Sequence, residues 1–143
     1  MQASGGAKGD IRAGDRVRTG PRAERRTVLV VEDDVDFRDL LVDHLIARGR
    51  MVRTAGNGAE ALAVLTAPGA DVGIVLLDLR MPVMDGFELC HRLEALGRRV
   101  PILVMTAEHE TRRIERFPWV VAVLYKPLDV VRLDGLIDAT ARV

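Results

Sequence analysis

Four uninterrupted apolar runs constrain this chain more than anything else in it: Val28-Leu29-Val30-Val31, Ile74-Val75-Leu76-Leu77, Ile102-Leu103-Val104-Met105 and Val120-Val121-Ala122-Val123-Leu124. Continuity rather than alternation predicts strands covered on both faces, as in a parallel sheet. A shorter, mixed run, Met51-Val52-Arg53-Thr54, suits an outer strand. Helical patterns fill the gaps. Phe37, Leu40, Leu41, His44 and Leu45 fall at i, i+3, i+4, i+7 and i+8, one buried stripe closed by Gly49, with His44 at the core edge. Asn57 with Glu60 predicts a capping box for a helix over Gly58–Thr66, and Asp85 with Glu88 predicts a second. Phe87, Leu89, Leu93 and Leu96 give that second helix its buried side, and Gly97 ends it. A polar helical piece over 108–116 is cut off before Pro118. The last helix starts near Asp129 and buries Val130, Leu133, Leu136 and Ile137. Five strands alternating with helices predict an α/β fold with a parallel sheet and right-handed crossovers.

Charge divides the chain. Residues 1–26 hold seven bases and three acids, so the remainder carries the balancing excess of acid in a chain of 21 bases and 21 acids. A basic, Gly-rich, non-periodic segment cannot bury enough apolar surface to order itself. We therefore expect a flexible basic tail over 1–26 and one folded domain over 27–143. The acidic body has few aromatics, which argues against a nucleic-acid platform there, and no DNA-binding domain is expected. No apolar run approaches a membrane span, and the N-terminus lacks the apolar core of a signal peptide. Cys90 is the single cysteine, so it forms no intramolecular disulfide; a cytoplasmic setting is expected, with Cys90 as a small apolar helix residue.

The chemistry lies where the apolar runs stop. In a parallel sheet all C-terminal strand ends share one edge, and here they carry Glu32 and Asp33, Asp78, Thr106 and Lys126. A single strand-end Asp is commonly a helix cap, and a single Thr or Lys is commonly just solvated. Acids, a hydroxyl and an ammonium converging on one crevice have no purely structural reason. Clustered carboxylates tolerate full ionisation only with a cation, and hard oxygen ligands with room for water suit Mg²⁺. Lys126 and Thr106 then supply a movable positive charge and a neutral donor for a phosphoryl group. Asp78 becomes a carboxylate nucleophile able to form a labile acyl phosphate.

Val30-Val31-Glu32-Asp33-Asp34, the run Leu77-Asp78-Leu79-Arg80-Met81-Pro82-Val83-Met84-Asp85-Gly86, Thr106-Ala107 and Lys126-Pro127 together resemble the response-regulator receiver domain of two-component signalling, over about residues 27–141. The resemblance implies a flavodoxin-like, doubly wound, five-stranded parallel sheet in the order 2-1-3-4-5 with five flanking helices. It implies that Asp78 accepts phosphate from the phosphohistidine of a sensor histidine kinase or phosphotransfer protein. Asp33, Asp78 and the Arg80 backbone carbonyl would bind Mg²⁺, with Glu32 acting through water. Lys126, before a cis bond to Pro127, would pair with the phosphoryl group, and Thr106 would swing in to donate to it. The domain would act as a stand-alone switch on an unidentified downstream protein, with no enzymatic activity beyond its own phosphorylation and dephosphorylation.

Three departures from that pattern stand out. Val123 occupies the position, three before the lysine, where the family usually has Tyr or Phe; Tyr125, adjacent to Lys126 on the opposite strand face, is not expected to replace that ring. The Thr106-to-Lys126 spacing is about two residues short, and Phe117-Pro118-Trp119 replaces a common Gly-Ala element. These predict a shortened or irregular fourth helix and a non-standard output surface, with Phe117 and Trp119 either an exposed patch or core-edge filling. His91 and His109 have no ligand partners at metal-site spacing and are expected at the surface. Two alternatives remain: a pseudo-receiver that keeps the fold as a binding module, and a haloacid-dehalogenase-like phosphatase. The second also uses a strand-end Asp, but Arg80 stands where its acid/base Asp belongs.

Overall fold

Strands and helices alternate along the chain in the computed structural model, which describes residues 26–107, 109 and 111–141. In order they are β1 (Thr27–Val31), α1 (Val35–Ala47), β2 (Val52–Ala55), α2 (Gly58–Thr66), β3 (Val72–Asp78), α3 (Gly86–Ala95), β4 (Ile102–Thr106), α4 (Arg112–Glu115), β5 (Val120–Tyr125) and α5 (Val130–Ala141). The strands form one parallel sheet in the order β2-β1-β3-β4-β5. The expected tail, except Arg26, lies outside the described residues. Among the described residues no helix is long and apolar enough to cross a membrane.

Both sheet faces are buried, which is why β1, β3 and β4 read as unbroken apolar runs. On one face Leu29, Val31, Val75, Leu77, Ile102 and Val104 meet Ala61 and Leu65 of α2, Leu89, Cys90 and Leu93 of α3, and Ile114 of α4. On the other, Val28, Val30, Ile74, Leu76, Leu103 and Met105 meet Leu41 and Leu45 of α1 and Leu133 and Ile137 of α5. Polar contacts also tie α1 and the loop after it to α5. His44 Nε2 lies 2.9 Å from Asp134 Oδ1, and Arg50 pairs with Asp138. His44 is thus a core-edge residue, as expected. Cys90 is fully buried, and burial pushes its thiol pKa up to about 12. Such a thiol is inert.

The caps form where Asn57 and Asp85 predict them, each accepting the N–H three residues on at 2.9 Å. Neither box closes reciprocally. The Glu60 carboxylate takes the N–H of Gly56, and Glu88 pairs with Arg92 across one helical turn.

Three residues assigned to buried stripes are exposed. Leu40 is 69% exposed, because one residue turns a helix by about 100° and Leu41 takes the inward position beside it. Leu96, 60% exposed, is the C-cap of α3, and Val130, 42% exposed, opens α5. Both have the right period, but each stands at a helix end with no further turn to cover it.

The fourth helix is short, as the sequence predicts, and shorter than the 108–116 pattern suggested. α4 is a four-residue turn with no side-chain N-cap bond. Ile114 anchors it in the core, and the Arg113 guanidinium lies 4.2 Å from the centre of the Phe87 ring on α3. Phe117 is 2% exposed, and Trp119 packs against the same cluster. They fill the core edge rather than form an exposed patch. His91 and His109 are at the surface, packed against Phe117 and Tyr125 respectively.

One expectation about β5 is corrected. Val123 and Tyr125 are two residues apart on a strand, so they share a face, with Leu124 on the other. Val123 packs on the α2–α3–α4 side. Tyr125 continues that face beyond the core, 45% exposed, with its hydroxyl 3.3 Å from Thr111 Oγ1. It differs from the expected ring position by two residues along the strand, not by the side it faces.

Candidate functional site

β1 and β3 are neighbours in the sheet, but the chain leaves them in opposite directions, toward β2 and toward β4. Ligand crevices in open α/β sheets form at such a point. Glu32 follows β1 directly, and Asp78 is the last residue of β3. One carboxylate oxygen from each of Glu32, Asp33 and Asp78 lies within 4.8 Å of the others. Glu32 and Asp78 are 1% and 6% exposed, while Asp33 is open to solvent.

Lys126 reaches this cluster from the end of β5. Its Nζ donates to Glu32 Oε1 at 2.9 Å and lies 3.8 Å from Asp78 Oδ2. Its backbone N–H donates to the Thr106 carbonyl at 2.9 Å, joining the ends of β4 and β5. The Lys126–Pro127 peptide is cis. Thr106, the last residue of β4, is buried. Arg80 is exposed two residues after Asp78. All of the sequence-predicted site residues therefore lie at one edge of the sheet.

Two contributors escaped the sequence reading. The Phe37 ring lies 4.4 Å from Lys126 Nζ, and Arg38 Nη1 donates to the Glu32 carbonyl at 3.0 Å. Phe37 reads as one more apolar residue of the α1 stripe, and nothing in its spacing signals a cation above it.

Three carboxylates at this spacing repel by about 3–4 kcal/mol per pair at an effective dielectric near 20. Lys126 offsets part of this, and the balance shows in Asp78. Burial, then the neighbouring Glu32 charge, raises its pKa from 3.8 to about 6, against the opposing pull of Lys126 and the Arg80 backbone. An all-oxygen, incompletely neutralised, partly solvent-open set fits a hard divalent cation that keeps several waters.

The loop after Asp78 is held tightly. The N–H of Gly86 donates to the Leu79 carbonyl at 3.0 Å, and the N–H of Gly58 donates to the Met84 carbonyl at 2.8 Å. A Cβ at Gly58 would fall 2.6 Å from that Met84 oxygen, so only glycine lets α2 start against this loop. Val83, at the loop tip, has φ 71° and is 84% exposed. Met84 N–H bonds the Pro82 carbonyl across it at 2.8 Å, the strained three-residue turn. A β-branched residue there is unfavourable. Val83→Gly is therefore expected to raise stability by about 1 kcal/mol, after the added freedom of the unfolded chain is subtracted. Urea unfolding checks this, and a destabilised variant would contradict it.

A profile of the response regulator receiver domain matches residues 28–138. The chain belongs to the response regulator receiver family. Among relatives of this receiver domain, the sporulation initiation phosphotransferase F of Bacillus subtilis is 31% identical over 117 residues, covering 80% of this chain and 90% of the relative. The sensor histidine kinase RcsC of Salmonella typhimurium is 42% identical over 80 residues, covering 56% of this chain and only 8% of the kinase. Among solved structures, the response regulator protein TrrA of Thermotoga maritima, in complex with Mg²⁺-BeF, superposes with a TM-score of 0.69 at 25% identity, covering 80% of this chain and 98% of that one. The receiver fold, its doubly wound sheet and its place in two-component signalling are thereby established for this chain.

Proposed function

We propose that this receiver domain is a phosphoacceptor switch: Asp78 takes a phosphoryl group from the phosphohistidine of a sensor histidine kinase or phosphotransfer protein. The observation that carries this reading is the convergence of Glu32, Asp33 and Asp78 with Lys126 at the sheet edge. A carboxylate oxygen of Asp78 attacks phosphorus, the P–N bond breaks, and its electron pair leaves on the imidazole. Asp33, Asp78 and the Arg80 backbone carbonyl would hold Mg²⁺, with Glu32 acting through water. A cation bound there would supply positive charge against the converging carboxylates and an incoming phosphoryl group. Lys126, already 3.8 Å from Asp78, pairs with the transferred group, and the Thr106 hydroxyl donates to it. The signal then passes to a downstream protein through altered contacts. The chain performs no catalysis beyond forming and losing its own aspartyl phosphate. We place this exchange in the cytoplasm, a setting that suits the unpaired Cys90 thiol.

The haloacid-dehalogenase reading lacks a group: Arg80 has no proton-accepting capacity where that chemistry needs an acid/base. Incubation with a small acyl-phosphate donor and Mg²⁺, read by intact mass, tests the proposal. Wild type gains one phosphoryl group, and Asp78→Asn gains none. No gain with any donor or divalent metal would favour a binding module that keeps the fold without the chemistry.

A further inference from the structure

Among the described residues the Lys126 ammonium makes three contacts, and two are with the Glu32 and Asp78 carboxylates. The third is the face of Phe37, whose ring centre lies 4.4 Å from Nζ. We infer that Phe37 is a positioning residue for Lys126, its ring holding the ammonium between Glu32 and Asp78. The inference rests on the phosphoacceptor reading and adds a residue to it.

Lysine is a compact charge on a flexible four-carbon stem, with no planar fork to fix its direction. Two carboxylates attract it, and the nearer one, Glu32, holds it at 2.9 Å. To serve a phosphoryl group on Asp78 the ammonium must shift toward a position now 3.8 Å away. An aromatic face attracts a cation over its whole breadth, so it keeps one contact constant through that shift. The ring itself is fixed. The Phe37 backbone N–H donates to Asp34 Oδ1 at 3.2 Å, which places it in the first turn of α1. Its ring packs partly buried against the α1–α5 side of the sheet. Packing alone would be served by Leu or Met at this position. What those residues lack is the negative ring face.

The chain has two lysines, Lys8 and Lys126, so lysine-labelled protein gives two sets of ε-methylene resonances; Lys126→Ala identifies the Lys126 set, and free lysine is the reference for its displacement. Ring current should displace the Lys126 signal upfield in wild type, before any metal or donor is added. The displacement collapses in Phe37→Leu and Phe37→Met and survives in Phe37→Trp. Phosphorylation by a small acyl-phosphate donor slows by about three- to tenfold in Phe37→Leu and recovers in Phe37→Trp. Phe37→Leu adds no further loss on a Lys126→Ala background, whereas a purely structural role would add its own. An undisplaced Lys126 signal in folded wild type, or an unchanged rate in both Leu and Met variants, overturns the inference while leaving the phosphoacceptor reading intact. No uptake by wild type itself would instead remove that reading, and the resonance would still report whether the contact exists.

Discussion

Asp78→Asn is expected to be more stable than wild type at pH 7 without divalent cation, by about 2–3 kcal/mol. The physical reason lies in where Asp78 holds its proton. Its pKa rises from 3.8 to about 6 on folding, through burial and then the adjacent Glu32 charge. The folded state therefore binds a proton more strongly than the unfolded one. Whatever stability this lends is complete below about pH 4 and is lost as pH rises through about 6. At neutral pH the folded protein carries a buried, ionised carboxylate beside another, and Asn removes that burden at nearly constant volume. The advantage should shrink steeply toward pH 4 and vanish below the unfolded value of 3.8, where Asp78 is protonated in both states. A divalent cation should narrow the gap at pH 7 by stabilising wild type preferentially, since anything that binds only the folded state adds to its stability. Urea unfolding at both pH values, with and without Mg²⁺, measures all of this. A variant less stable than wild type at pH 7, or a gain that persists unchanged at pH 4, would refute the electrostatic account of the site.

Gly86→Ala is expected to cost about 2–3 kcal/mol, from overpacking against backbone that cannot yield. A Cβ on Gly86 would stand 2.8 Å from the Asp78 carbonyl oxygen and 3.0 Å from Leu79 Cα. These are main-chain atoms at the end of β3 that carries Asp78, and Gly86 N–H is already bonded to the Leu79 carbonyl. Relief requires moving the loop that presents Arg80, so the affinity for Mg²⁺ should fall together with stability. Gly135→Ala is the matched control. Nothing lies within 4 Å of its added Cβ, and it sits within α5, so a gain of up to about 1 kcal/mol is expected from helix propensity alone. Equal effects of the two substitutions in thermal unfolding would show that close packing at the Asp78 loop is not what fixes Gly86.

The sheet was legible because burial on both faces forces continuous apolar runs, and a polar residue that ends such a run is conspicuous. Val31 to Glu32, Leu77 to Asp78 and Met105 to Thr106 are transitions of this kind, and each falls at a strand end at the functional edge. Helix interiors were legible through Leu41, Leu45, Leu89, Leu93, Leu133 and Ile137. Burial at the helix ends was not. Leu96 and Val130 keep the period of a buried face, but period carries no information about whether another turn exists to cover them. The departures near α4 could be seen as departures, though only packing decided that Phe117 and Trp119 turn inward. Tyr125 was assigned to the wrong side of β5 because its neighbour Lys126 was the reference, whereas strand alternation relates it to Val123. Phe37 was legible as apolar and not as a partner of Lys126, since that contact joins residues 89 positions apart through the fold.

The most direct test of the central claim is to trap the phosphorylated protein with borohydride and map the product by peptide mass. Hydride reduces an aspartyl phosphate at its acyl carbon and releases phosphate, leaving homoserine where the acceptor stood. The account predicts homoserine at position 78, dependent on Mg²⁺ and on the phosphoryl donor. Homoserine at position 33 or 85 instead, or none after uptake shown by intact mass, would contradict it.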